Sequence, residues 1–530
     1  PRHSPDLAPC EFALEPATSS ILGAVKLTGK TAGGLSVGVL ESVTGRESAE
    51  IDLLGLRRRE NTAPLTNYFV GRAQQDFRGG DTFVGLIATS VDRRIVDRHL
   101  DFLPAHAVSA GADFSHYFPG RTWRLEANAA VSHLRGSAAA IDAVQTSSAR
   151  YFQRPDNDHA DYDPARTSLL GHGGSVRIRR SPQKGNLQFQ SGMAWRSPGF
   201  EINDLGFMSR ADEINQFGWV GYSFRNPFSI FRRLELNANQ WLDWDFGGAP
   251  LRRAANTNAH AHFRNNWQLG GGLTRDGERV SNAELRGGPS TLVPGRWSYE
   301  VYVNADSRRR LSFAAGADGH AADEGSGGSR TLWLDLIFRP TNALTVTVMS
   351  SAGRNDSELQ YVDTVSTASG SRYVLGRLDQ ETRALTVRVD FSLTPNLTLQ
   401  YYGAPFASRG RYSELKRITD PRAPDYRERF RRIGGVRVEG GRHHLDEDGD
   451  GAADYAIDEP GFDVREFNST LVARWEYRPG SLVYLVWSQA RDDGALRGGR
   501  GLSFGRGLGQ TFDVPAHDVL LVKFSKWFPL

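Results

Sequence analysis

The feature that most constrains this chain is a strict two-residue alternation. Trp123, Leu125, Ala127, Ala129 and Val131 alternate with Arg124, Glu126, Asn128 and Ser132. Only an extended strand gathers every second residue on one face, so this stretch is a strand that is apolar on one side and polar on the other. The pattern recurs with the same chemistry. Trp297, Tyr299, Val301 and Val303 alternate with Ser298, Glu300, Tyr302 and Asn304. Leu332, Leu334, Leu336 and Phe338 leave Asp335 and Arg339 on their opposite face, and Leu385, Val387, Val389 and Phe391 stand against Arg388 and Asp390. Near the end, Leu471, Ala473, Trp475 and Tyr477 are set against Arg474, Glu476 and Arg478, and a last strand carries Leu520, Val522, Phe524, Phe528 and Leu530 on one face. Such strands fit a wall with lipid on one side and water on the other.

The connections narrow the choice. Short turns such as Pro119-Gly120, Thr394-Pro395-Asn396 and Arg478-Pro479-Gly480-Ser481 alternate with longer stretches at 44–64, 91–104, 136–167, 198–212, 245–254, 279–292, 320–329, 354–371, 407–464 and 492–515. A transmembrane barrel has tight periplasmic turns and long extracellular loops, whereas a soluble sandwich mixes loop lengths at both ends. Many strands also exceed the roughly nine to eleven residues that a tilted crossing requires. The predicted fold is therefore all-β, a transmembrane antiparallel up-and-down barrel in the bacterial outer membrane. Its domain plan is an N-terminal segment over 1–19, periplasmic, luminal or the remnant of an upstream region, and a barrel over 20–530. Long extracellular loops are expected at 136–167, 407–464 and 492–515. About 21 strands are visible, and because single-chain barrels are usually even-numbered the expectation is roughly 22, within 18 to 24, with the missing strand inside or before 1–19 or miscounted.

Composition is consistent with that reading. A mean hydropathy of −0.45 over 530 residues suits strands that are apolar at alternate positions only. No run approaches 18 apolar residues, so no helix is expected to cross a membrane. One Cys allows no intrachain disulfide and no Cys-based metal site. Lys+Arg 64 against Asp+Glu 61 lacks the basic excess of a nucleic-acid binder.

Several long runs also resemble a known family. These are ILGAVKLTGKTAGG (Ile21 to Gly34), RSPGFEINDLGFMSRADEINQFGWVGY (Arg196 to Tyr222), LRGGPSTLVPGRW (Leu285 to Trp297), YVLGRLDQET (Tyr373 to Thr382) and STLVARWEYRPGSLVYLVWSQ (Ser469 to Gln489). They are similar to the C-terminal outer-membrane β-barrel domain, of unknown function, of large bacterial proteins that carry an N-terminal carbohydrate-binding family-9-like module. The resemblance implies a barrel and an outer-membrane location, and it supplies no established reaction. The module itself is not in this sequence, which puts carbohydrate binding by these residues in doubt.

Three groups of residues could carry function. Asp446, Asp448 and Asp450, followed by Asp454 and Asp458, alternate with Gly449 and Gly451 like the front half of a calcium loop. The twelfth position is Ile457 rather than Glu, so calcium in the 446–458 loop stands beside the reading of a solvated acidic loop. The inward charges Arg124, Glu126, Glu300, Asp335, Arg339, Arg388, Asp390, Arg474, Glu476 and Arg478 carry both signs. They hydrate and pair across strands, or they line a weakly selective polar path. Trp123, Trp195, Trp219, Trp297, Trp475 and Trp527 lie near strand ends, where interfacial aromatic girdles form.

No spacing ties a His to a Ser or to a carboxylate pair, so no catalytic residue is assigned, and a hydrolase is the weakest alternative. The expected role is a channel or uptake component for a hydrophilic ligand, and the family resemblance alone implies a glycan fragment as one such ligand. The main alternative is a scaffold that anchors loops or partners and transports nothing. The expected partners are outer-membrane lipid, the barrel-assembly machinery acting on the C-terminal strand, and a plug or partner protein. A lumen of about 22 strands would leak if left empty, so inward-folded loops, the N-terminal segment or a partner is expected to obstruct it.

Overall fold

The computed structural model describes all residues except 1–3, 6, 9–10, 17, 182–184, 494–508, 510, 514 and 529–530. The turn expected around Pro182, most of the 492–515 loop and Leu530 lie outside the described residues. The chain is an all-β, transmembrane antiparallel β-barrel, with 22 strands assigned to one barrel sheet. None of the described helices is long and apolar enough to cross a membrane.

The chain divides into two compact units: Pro1–Gly221 with Asn239–Arg253 and Arg279–Thr291, and Tyr222–Ala238 with Ala254–Glu278 and Leu292–Leu530. In the first unit Ile21–Lys30, Leu35–Thr44, Leu65–Phe77, Thr82–Arg94, His106–Tyr117, Trp123–Arg135, Ser168–Arg180 and Leu187–Arg196 pair antiparallel, each with the next. In the second, the same meander runs from Gln268–Asp276 and Arg296–Asn304 through Leu311–Ala322, Gly327–Thr341, Leu344–Thr367, Gly370–Thr394, Leu397–Ile418, Phe462–Arg478 and Ser481–Asp493 to His517–Ser525.

Alternation sorts the residues as the sequence suggests. Leu86, Val131 and Leu332 are 58%, 52% and 63% exposed, together with Leu334, Leu336, Phe338, Val301 and Leu485. Apolar side chains left on the surface in strand-long rows form a lipid-facing band, because water would penalise them by roughly 25 cal/mol per Å². The tight turns obey backbone chemistry. In Arg478-Pro479-Gly480-Ser481 the chain reverses with Gly480 at φ 74°, and a Cβ there would lie 3.0 Å from the Trp527 Cβ, so glycine is required twice over.

The missing strand is placed, and three loop expectations are corrected. Of the alternatives left open for the twenty-second strand, the miscount is the one found: among the described residues it is the three-residue Phe430–Arg432, paired to the end of Leu397–Ile418. The N-terminal strand Glu11–Leu14 instead joins Glu47–Leu53 and Leu56–Ala63 in a separate three-stranded sheet, so 44–64 is an ordered hairpin. The stretch 354–371 is no loop, since Leu344–Thr367 and Gly370–Thr394 stay paired to the Thr367↔Gly370 register. Likewise the 407–464 loop is shorter than expected. Its first strand continues to Ile418 and the next begins at Phe462, with the small sheet Gly435–Glu439, Arg442–Asp446 and Tyr455–Asp458 between them. Beyond the lipid band a strand keeps its backbone partners but loses its apolar face, so its sequence pattern fades while the strand goes on.

Candidate functional site

The opposite face of the first unit carries a segment packed against it. Tyr68, Val91, Ala107, Leu134 and Leu169 stand at matched registers on five consecutive strands. They form an apolar row on the otherwise polar face, at the end of the strands that bears the long connections. The α-helix Ala138–Gln145 lies against this row, opened by Ser137, whose hydroxyl accepts the Ala140 N–H at 3.0 Å. Ile141, Phe152 and Ala160 close the cluster, and Leu134 and Ile141 are 1% and 0% exposed. Each such side chain contributes about 1.5–3 kcal/mol by leaving water.

A second connection, 197–212, is fastened by charge. Arg150, fully buried, meets Glu201 at 2.8 Å and donates to the carbonyls of Pro198 and Phe200. Arg93 of the wall strand Thr82–Arg94 meets Asp204 at 2.5 Å, and the Ser132 hydroxyl accepts the Glu201 N–H at 2.9 Å. Burial pulls the Arg150 guanidinium below its ordinary pKa, and Glu201 opposes that shift. Between this segment and the wall lies a cavity of about 530 Å³, lined among others by Asn128, Ser175, Arg196, Ile202, Phe207 and Met208.

Toward the short-turn end the polar face is a ladder of charges. Arg72 meets Asp113 at 2.6 Å, Arg124 meets Glu126 at 3.1 Å, and Glu126 meets Arg177 at 2.8 Å. In the second unit Arg474 meets Glu476 at 3.4 Å, Gln400 donates to Asp390 at 3.0 Å, and Arg388 lies 5.2 Å over the Tyr402 ring. Glu300 lines a pocket of about 250 Å³ with Arg296, Ser298, Asp318 and His320. Asp335 lies opposite the exposed Leu334 and Leu336, Arg339 donates to the Ser307 carbonyl at 3.1 Å, and Arg478 is exposed beside its turn. Ser329 and His320 are 2.6 Å apart, through Nδ1. The two residues face each other across adjacent strands at the His320↔Ser329 register.

Trp195 and Trp297 sit at the long-connection end of their strands, and Trp123, Trp475 and Trp527 at the short-turn end. Trp297, Trp475 and Trp527 are half exposed, and Trp123 packs edge-on against Phe189 at 5.0 Å. Trp219 departs from expectation. By strand parity it shares a face with Asn215, not with the exposed Val220, so it points to the polar side.

The sequence matches the model of a family described as a domain of unknown function (DUF5916) over residues 7–422. The chain belongs to the DUF5916 family. No curated protein matches it. Among solved structures, an apoprotein form of the FrpB iron transporter from Neisseria meningitidis is 12% identical over 90% of this chain and 75% of that one, with a TM-score of 0.44. The siderophore receptor PirA from Acinetobacter baumannii is 8% identical over 87% and 76%, at 0.40. An anion-selective porin from Comamonas acidovorans is 10% identical over 62% and 91%, at 0.28. The exposed apolar rows on paired strands make this DUF5916 chain an outer-membrane protein.

The acidic loop lies beyond the DUF5916 match. Carboxylate oxygens of Asp446, Asp448 and Asp454 come within 4.8 Å of one another. Asp450 is not among them; its Oδ1 accepts the Ala452 N–H at 2.7 Å, and Asp458 meets Arg442 at 3.0 Å. Asp446 accepts the Gly449 and Gly451 N–H groups, so turn formation alone accounts for its placement. A second convergence escaped the sequence reading. His159, Asp212 and Asp245 meet in the first unit from three separate connections, and no local spacing could have announced them.

Proposed function

We propose that this DUF5916 barrel is a guarded passage for a hydrophilic solute, a channel or uptake component and not an open pore. The observation that carries this reading is the segment 136–167, which lies against the polar face and is fixed there by an apolar row and by the buried Arg150–Glu201 pair. A scaffold would need its loops free for partners. Here 136–167 and 197–212 pack on the polar face instead. The family resemblance makes glycan fragments the first ligands to try.

Single-channel conductance in planar bilayers tests the proposal. Wild-type protein is expected to show rare, small openings, and a variant with 138–166 replaced by a short Gly/Ser turn should give steady openings several-fold larger. A variant that is folded by heat-modifiable gel mobility yet stays silent would overturn the proposal and favour the scaffold.

A further inference from the structure

We infer that His159, Asp212 and Asp245 form a binding site for a divalent first-row transition metal that ties three connections of the first unit together. The ligand atoms come from 146–167, 197–212 and the turn after Phe231–Trp244, and all three lie within 4.8 Å of one another. Asp212 and Asp245 are 3% and 5% exposed and the His159 side chain is 19% exposed, so this is an interior cluster, not surface acidity.

Each group is set in place by the backbone around it. The Phe246 N–H donates to Asp212 Oδ1 at 3.0 Å and the Ala249 N–H to Asp245 Oδ1 at 2.7 Å, which aligns the carboxylates. A Cβ on Gly247 would stand 2.5 Å from His159 Nδ1, so the ring fits only because that residue is glycine. His159 Nε2 then lies 2.9 and 2.8 Å from Asp212 Oδ1 and Oδ2. A proton held between an imidazole nitrogen and a carboxylate occupies a place that a metal takes when the imidazole is neutral, releasing the proton.

One nitrogen and two carboxylate oxygens suit zinc, manganese or ferrous iron, whereas calcium and magnesium prefer oxygen alone. The competing cation is Arg154. It stands 3.8 Å from Asp212 Oδ2, beyond hydrogen-bond reach, and its guanidinium donates instead to the Tyr151 carbonyl and the Ser290 hydroxyl. It offsets charge without occupying the position between the three ligands.

The test is calorimetric titration of chelator-treated, folded barrel in detergent with zinc, repeated with manganese, alongside metal analysis of the recovered protein. The expected result is one equivalent of metal, with affinity lowered tenfold or more in His159→Ala and in the near-isosteric Asp245→Asn, and unchanged in Asp448→Asn. Heat-modifiable mobility confirms that each variant is folded. Wild-type protein that takes up no metal, or variants that are folded and bind as wild type does, would overturn the inference and leave a buried His–Asp pair. The conductance experiment is independent, so either proposal can fail alone.

Discussion

The two units are built from the same strand but treat its polar face differently. In the first, an apolar row interrupts that face, a helix is packed over it, and the buried Arg93 and Arg150 fasten the neighbouring connection. In the second, the face is a ladder of half-exposed pairs such as Arg474–Glu476, and the hydrophobic cluster gathers instead at Val374, Leu415, Ile433, Leu445 and Ile457, under the small sheet of 435–458. The difference teaches that the strand code specifies only the wall. What occupies the polar side depends on whether a connection brings apolar and paired charged groups of its own.

The largest effect that would break this contrast is expected at Arg150. Arg150→Ala leaves Glu201 buried without its partner and should cost about 3–5 kcal/mol. Arg474→Ala, in an exposed pair, should cost less than about 1 kcal/mol. Urea unfolding of the two detergent-folded variants measures the gap, and equal losses would mean that the packed segment adds nothing to stability. Next comes Leu445→Ala, expected to loosen the small sheet by about 2–5 kcal/mol. Protease nicking within 419–461 should rise sharply while the barrel keeps its gel mobility. Ser137→Ala removes the cap of the Ala138–Gln145 helix, and its cost should be about 1 kcal/mol, read as faster amide exchange in that helix alone.

The sequence disclosed the wall and little of its contents, for a physical reason. Alternation at Trp123–Ser132 or Leu332–Phe338 reflects contact with lipid and water, and every residue there reports the same contrast. Leu134, with Val91 and Leu169 beside it, breaks that alternation by being apolar on the polar face, which is a local sign that something packs over it. Arg150, Glu201 and Asp204 read as ordinary loop charges, because their burial depends on connections dozens of residues apart. Trp219 departs from the girdle expected near strand ends because it lies mid-strand and its parity sets it on the polar face. The loop bounds failed at 354–371 and at the ends of 407–464 because outside the lipid band both faces are wet and the signal vanishes while the pairing persists.

The smallest effect sharpens the comparison from the second unit. His443 donates to Glu459 at 2.6 Å across the small sheet. Burial alone would raise the Glu459 carboxyl, but the hydrogen bonds from His443 and from the Gly461 N–H outweigh it and hold its pKa below the ordinary glutamate value. A carboxyl depressed in the folded state stabilises that state fully above its unfolded value, and the contribution fades as pH falls through the depressed one. Amide exchange in Arg442–Asp446 should therefore quicken below about pH 4.5, where the unfolded carboxyl takes up its proton, and Glu459→Gln should flatten the change. Exchange in Ala138–Gln145, which lies in the other unit, is expected to stay level over the same range. Parallel acceleration in both regions would mean that acid acts on the barrel as a whole and not on this hydrogen bond.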